Sequence, residues 1–391
     1  MSRAQVDVLV IGGGPAGLAS GICAANLGLR TVIVERQAYP VDKACGEGIM
    51  PTGVELLKSL GVADHLQADE IYPFKGVQYI SREGRQARGE FQEAPGWGVR
   101  RTALSRAMLA RARQLDCLEI RSGETLDHLE RYPEQIVAHL SDGTVETRLL
   151  VGADGLHSRV RRWAALDRGS SDRRRWGARQ HFAMPPWSQD VEVWWGQGLE
   201  AYITPCGENC VGIALLWDRQ KVAPPGGRSL FPALIRRFPE LSRRLAGIPP
   251  ASDVRAAGPL AQPTRGVAAA GLVLVGDAAG YLDAITGDGI SLGLAGAFAL
   301  QQNVFPLLHS RPDHAPLISP EELDGYAQAM RRIYAPYLHM TRMVLTIGRS
   351  ETLTEAAIAF LARRPLLFQQ LLSANLGTAS LWPGINRILQ G

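Results

Sequence analysis

The sequence predicts an α/β fold in three parts: a parallel sheet flanked by helices, a second region of mixed strands, and a helical C-terminal region. Three observations predict it. "VDVLVIGGGPAGLASGICAANLGLRTVIVER" reads strand, glycine turn, helix, strand. Two later apolar runs, at 149–153 and 271–275, end beside Asp154-Gly155 and Gly276-Asp277. Residues 180–217 then change to period-two alternation. The 391 residues exceed one simple core and fit two intimately joined domains plus a tail.

The elements follow in order. Val6 to Ile11 is rich in β-branched residues, the mark of a strand buried on both faces. Gly12, Gly14 and Gly17 supply G-x-G-x-x-G spacing. The first allows the tight turn, the second lets backbone approach a pyrophosphate, and the third lets helix and strand pack closely. The helix start offers N–H groups and a positive dipole to that pyrophosphate. Thr31 to Val34 forms the second strand, and Glu35 stands at its end to accept hydrogen bonds from ribose hydroxyls. A tight turn without ligand leaves Glu35 unexplained, so a dinucleotide site is expected. Residues 72–91 alternate like antiparallel strands separated by Gly84, and 180–217 do so more clearly, with turns at Gly196, Gly198 and Gly207. From about 320 the apolar spacing is helical. The expected division is 1–70, 100–165 and 255–330 for the nucleotide-binding domain, 71–99 and 166–254 for the sheet domain, and 331–391 for the helical region.

Composition narrows the function. Hydrophobic residues are 46% and charged residues 20%, an ordinary globular balance, and the net charge of +4 is too mild to argue for nucleic acid. Arginine clusters at 161–162, 173–175 and 363–364 read as solvated faces, with weak attraction to an anionic cofactor or membrane as the other reading. Five scattered cysteines and the lack of a secretory pattern suit a cytoplasmic protein. Cys206 and Cys210 flank an expected hairpin turn, with no second ligand pair to suggest metal. His181, His309, His314 and His339 show no ligand spacing and receive no role.

Three acid–glycine strand ends, far apart in sequence, suggest one long ligand across several loops of one sheet. Together the N-terminal G-x-G-x-x-G, the central DG and the late GD resemble the FAD-dependent oxidoreductases of the p-hydroxybenzoate hydroxylase superfold. Within it, "DKACGEGIMP" and "GDAAG…TGDGI" look most like the geranylgeranyl reductase branch and also resemble flavin-dependent halogenases. The resemblance spans nearly the whole chain and implies a Rossmann-like FAD-binding domain of the GR2 type. By position, Gly12, Gly14, Pro15, Ala16 and Gly17 would cradle the pyrophosphate, Glu35 the adenosine ribose, and Arg36 the adenine. Arg101 in "RRTALSRAML" would reach the pyrophosphate or ribityl chain. Asp154 would lie near the pyrophosphate, and Gly276 and Asp277 by the ribityl or diphosphate portion. Gly287, Asp288, Gly289 and Ile290 begin a helix whose N–H groups would face flavin N1 and O2, where reduced flavin is negative. Ala284 replaces the family's usual proline, and Ser291 an asparagine common in hydroxylases. The halogenase W-x-W-x-I-P motif is not found.

The same resemblance places Lys43, Cys45 and Gly46 in a K-x-C-G segment beside the flavin ring, with Cys45 as the candidate catalytic thiol. A buried, inert cysteine is the alternative. Glu47 reads either as an active-site acid or as a charge ahead of the helix in "PTGVELLKSLGV", the second being preferred. Tyr202 and Thr204 resemble the family's substrate-lining strand, and Trp194, Trp195 and Tyr202 would form either an apolar wall or plain sheet core. The helical tail is expected mainly to pack on the flavin domain, although it could close a tunnel or lean on a membrane. The implied activity is hydride transfer from FAD to a C=C bond of an apolar, prenyl- or polyketide-like substrate, with NAD(P)H or a donor protein as transient reductant. An FAD monooxygenase is the second reading and a non-catalytic flavin-binding protein the third.

Overall fold

A computed structural model describes residues 3–92, 94–169, 172 and 174–375. Arg173 and the predicted tail beyond residue 375 lie outside the described residues. The strand Arg3–Ile11 sits inside an eight-stranded sheet, parallel to Gly143–Gly152 on one side and Thr31–Glu35 on the other. Leu118–Ser122 and Leu272–Leu274 continue the parallel order outward. Val8, Leu9 and Val10 are fully buried, which explains the unbroken apolar run. Register pairs Ile11 with Val34 and Gly152, and Gly152 with Leu274, so four strand ends emerge side by side. Two helices, Pro15–Asn26 and Gly289–Asn303, cover the sheet close together: a Cβ at Gly293 would lie 3.2 Å from that of Ala16.

The second sheet has seven strands in the order Arg255–Ala257, Arg175–Phe182, Val211–Asp218, Leu199–Pro205, Val191–Gly196, Gly76–Ile80 and Gln86–Glu90. Only Val191–Gly196 with Gly76–Ile80 is parallel. Gly84, with φ +82°, turns the predicted hairpin. Ile71–Phe74 leaves that pattern and pairs with Gly96–Val99, which also pairs with Gly48–Ile49. Strand alternation separates the neighbouring tryptophans: Trp194 packs with Phe231 and Phe238 on one face, Trp195 with Tyr79 and Tyr202 on the other.

The helices Asp324–Ile347, Glu351–Ala362 and Pro365–Asn375 follow. The last packs on the edge of the second sheet, where a Cβ at Gly89 would meet Leu372 at 2.5 Å. The tail divides: Asp324–Ile347 packs Tyr326, Met330 and Ile333 into the core of the first sheet, as expected, while the two later helices cover the second sheet. The arginine clusters also need correcting. Arg161 is completely buried and Arg175 largely so, each held by acids outside its arginine run.

Candidate functional site

The aligned strand ends open onto a cavity of about 720 Å3. Gly12, Gly14, Pro15, Ala16, Glu35 and Arg36 line its first end. Lys43, Cys45, Gly46, Arg101, Asp154, Gly276 and Asp277 line the middle, and Gly287, Gly289 and Ile290 follow. Gly17 and Asp288 are not on the wall. Gly17 instead makes a backbone contact, since a Cβ there would lie 1.8 Å from the Gly12 carbonyl oxygen. Asp288 is buried at the N-cap of Gly289–Asn303.

The first end is shaped by what is missing from it. Gly12 has φ +107° and a Cβ would lie 2.4 Å from the Ala153 carbonyl oxygen, so only glycine fits. Gly14 is extended backbone, and a Cβ there would meet nothing nearer than Arg101 Nη2 at 3.5 Å. The space above Gly14 belongs to the cavity. No side chain caps the helix beginning at Pro15, which leaves its first N–H groups for an anion. Arg101 Nε is buried there without a partner. Glu35 accepts from Gly13 N at 2.8 Å and Gln37 N at 3.0 Å, fixing the turn while keeping lone pairs for hydroxyl donors. Burial pushes Lys43 down, opposed by Glu35 and Asp277. Burial likewise pushes Asp277 up, against Lys43, Arg101 and Arg161. A pyrophosphate-bearing dinucleotide fits this donor set: unpaired N–H groups and buried cations beside a glycine cradle.

Arg161 joins the two later loops. Its guanidinium donates to Asp167 Oδ1 at 2.9 Å, to the Leu156 carbonyl at 3.0 Å and to the Ala278 carbonyl at 3.1 Å. Asp154 is turned toward its own helix, accepting from Arg159 N at 2.6 Å and Val160 N at 3.1 Å. Arg175 ties the second sheet to the loop before Gly289, donating to Asp283 at 2.9 Å and Glu200 at 2.7 Å. These arginines carry no local signal, because their partners lie on other elements.

The stretch 45–51 holds the largest departure from expectation. Glu47 is no charge ahead of Pro51–Ser59. It is 1% exposed, with φ +62°, and its Oε1 accepts from Arg101 N at 2.8 Å, at the start of a different helix. Its Oε2 lies 2.5 Å from His181 Nε2, and His181 is also 1% exposed. His181 Nδ1 lies 2.8 Å from Ser252 Oγ. Sequence reasoning gave this histidine no role, and only the 134-residue separation of the pair in the chain explains the silence. Glu47 N donates to Cys45 Sγ at 3.3 Å, and burial pushes the Cys45 thiol up, so it stays protonated at neutral pH. Cys206 and Cys210 are free thiols across their hairpin.

Beyond Cys45 the wall becomes apolar. Trp195, Tyr202 and Thr204 line it from the second sheet, with Val77 and Tyr79. Tyr202 donates its hydroxyl to the Ile285 carbonyl, fixing the ring. Trp194 is not part of this wall. Met340, Val344, Ile358 and Phe368 close the far side, so the tail helices do enclose the chamber.

A model of the FAD-binding domain matches residues 5–315. The menaquinone reductase of Mycolicibacterium smegmatis is 28% identical over 325 residues, covering 74% of each chain. A digeranylgeranylglycerophospholipid reductase of Methanothrix thermoacetophila is 26% identical over 309 residues, covering 73% of this chain and 74% of the relative. The ubiquinone hydroxylase UbiM of Neisseria meningitidis is 24% identical over 369 residues, covering 88% of this chain and 78% of its own. In fold, a flavoprotein/dehydrogenase from Cytophaga hutchinsonii superposes with a TM-score of 0.80 at 18% identity, covering 99% of this chain and 95% of that one. Turnover, rather than mere flavin storage, is common to these named relatives. The chain belongs to this FAD-binding family, and like its reductase and hydroxylase relatives it is an FAD-dependent oxidoreductase.

Proposed function

We propose that this protein reduces a C=C bond in an apolar, prenyl- or polyketide-like substrate, with electrons drawn from NAD(P)H or a donor protein. The observation that carries the reading is continuity: one cavity joins the glycine cradle to an apolar chamber, with Cys45 between. Bound FAD, once reduced, supplies the hydride. The chain's own residues bind and orient. Gly14, Lys43 and Arg101 hold the pyrophosphate, and the helix start at Gly289 offers N–H groups to the negative edge of the reduced ring. Trp195 and the fixed Tyr202 ring hold the acceptor, while Val344 and Phe368 exclude water. Two relatives named as reductases support the choice over hydroxylation.

Substrates of this class reside in lipid, and one face suits that. Met343, Leu353, Phe360 and Leu366 are 43–73% exposed on the tail helices, among the exposed Arg342, Arg349, Arg363 and Arg364. Such a face would hold the protein weakly at an anionic bilayer surface. Among the described residues no helix is long and apolar enough to cross a membrane.

The test is anaerobic single turnover of the reduced protein with prenylated quinones and polyprenyl lipids. Reoxidation of the flavin with a product heavier by two hydrogens is expected. A product that forms only with oxygen and carries an added oxygen atom would replace this reading with hydroxylation.

A further inference from the structure

We propose that Glu47, His181 and Ser252 form a buried hydrogen-bonded path that carries protons from the protein surface to the flavin end of the cavity. The proposal rests on the reductase reading for its purpose. Hydride added to one carbon of a double bond leaves an electron pair on the other, and that carbon must gain a proton before the product is saturated. The chamber is built to exclude water, so the proton needs another route.

The geometry supplies one. Ser252 is half-buried next to the exposed Asp253, and Glu47 lies on the cavity wall beside Cys45. Between them stands His181, with Nδ1 2.8 Å from Ser252 Oγ and Nε2 2.5 Å from Glu47 Oε2. Arg179 Nη1, 3.3 Å from His181 Nδ1, can only donate, which makes Nδ1 the acceptor and directs the Nε2–H at Glu47. A proton entering at Nδ1 from the serine side therefore releases one at Nε2 toward the carboxylate. Glu47 passes it to the substrate carbon and is reprotonated from His181. The balance closes: one hydride and one proton add across the double bond, and bulk water supplies the proton.

Charged groups and thiols surround the pair. Arg179 lies 3.7 Å from Glu47 and bonds Asp42, which Arg255 also contacts at 3.2 Å. Cys206 Sγ lies 3.6 Å from Glu47 Oε2, and Arg101, Cys45 and Cys210 complete the groups facing it. Gly212 leaves room for the pair, since a Cβ there would lie 3.3 Å from Glu47 Oε2. The backbone at Glu47 is left-handed, with φ +62°.

The experiment has two arms. In the first, Glu47→Gln and His181→Gln are compared with wild type in anaerobic stopped flow. Loss of about 100-fold is expected in the step that consumes substrate, as for removal of a general acid, with partial rescue by added imidazole. Unchanged substrate reduction in both variants, or equal losses in flavin reduction without rescue, would overturn the path. The second arm needs no turnover: exchange of the 15N-labelled His181 ring N–H with deuterated solvent, in wild type and Ser252→Val. Exchange at least tenfold slower in the variant supports the path, and equal rates refute it. If wild type reduces no unsaturated acceptor yet Ser252→Val slows exchange, the reductase reading fails while the proton path stands.

Discussion

Replacing Gly14 by alanine separates binding from folding, because this glycine is required by the ligand rather than by the chain. Its backbone is extended, φ −74° and ψ −177°, so alanine adds no strain. The new methyl would meet no protein atom nearer than 3.5 Å. It would instead occupy the ground where a pyrophosphate oxygen approaches to roughly 3 Å of the backbone. Overfilling a packed contact costs about 1–3 kcal/mol, or roughly 5- to 150-fold in affinity. Titration of the apoprotein with FAD, followed by quenching of flavin fluorescence, reads the loss, and apoprotein melting should match wild type. Gly17→Ala is the contrast: its methyl falls 1.8 Å from the Gly12 carbonyl oxygen, and the apoprotein itself should melt lower or fail to fold. Wild-type FAD affinity in a normally folded Gly14→Ala protein would refute the placement of the pyrophosphate.

The other predictions rest on single contacts. Arg161→Met should destabilise by about 1–3 kcal/mol in denaturant titration, since it removes a fully buried guanidinium and strips donors from several carbonyls and the partly exposed Asp167; a loss under 1 kcal/mol would show the clamp to be dispensable. Iodoacetamide at neutral pH should label the exposed Cys117 before Cys45, whose thiol burial pushes up, while Cys23, pushed up to about 12, stays unlabelled; peptide mass mapping reads the order. For Asp7, burial acts upward, but hydrogen bonds from Arg30 and Arg148 outweigh it and hold the carboxyl below its usual 3.8. Its stabilisation is therefore present above that pH and lost as pH falls through the lowered value. Asp7→Asn should cost about 1 kcal/mol at neutral pH, little because Arg30 is half exposed, and melting curves of the two proteins should converge only in acid. Convergence on raising the pH would contradict the assignment.

The parallel sheet and its glycine turns were legible because their signals are local: a buried strand reads as an apolar run, and the φ of +107° at Gly12 is a demand of its own turn. The alternation in 190–195 also showed a strand, but period two alone does not say which neighbour faces solvent, core or cavity. That choice between Trp194 and Trp195 depends on the elements packed on each side. The buried charges were illegible for a related reason. Arg161 and Arg175 sit in arginine runs that resemble solvated surface, and the partners that neutralise them arrive from Asp167, Asp283 and Glu200. Glu47 lies in the loop just before Gly48–Ile49 and His181 on a strand of the seven-stranded sheet, so no spacing rule could join them. The loop 45–49 displayed its glycines plainly, while the purpose of the acid between them depended on a strand not yet reached.

The tail helices have an evolutionary corollary. Redox machinery is encoded before residue 304, whereas much of the far chamber wall comes from residues 340–372. Acceptor length and shape can therefore be retailored by mutations at Met340, Val344, Ile358 or Phe368 that leave the electron-transfer half untouched. The same electron-transfer half can serve acceptors of differing bulk by exchanging its lining alone.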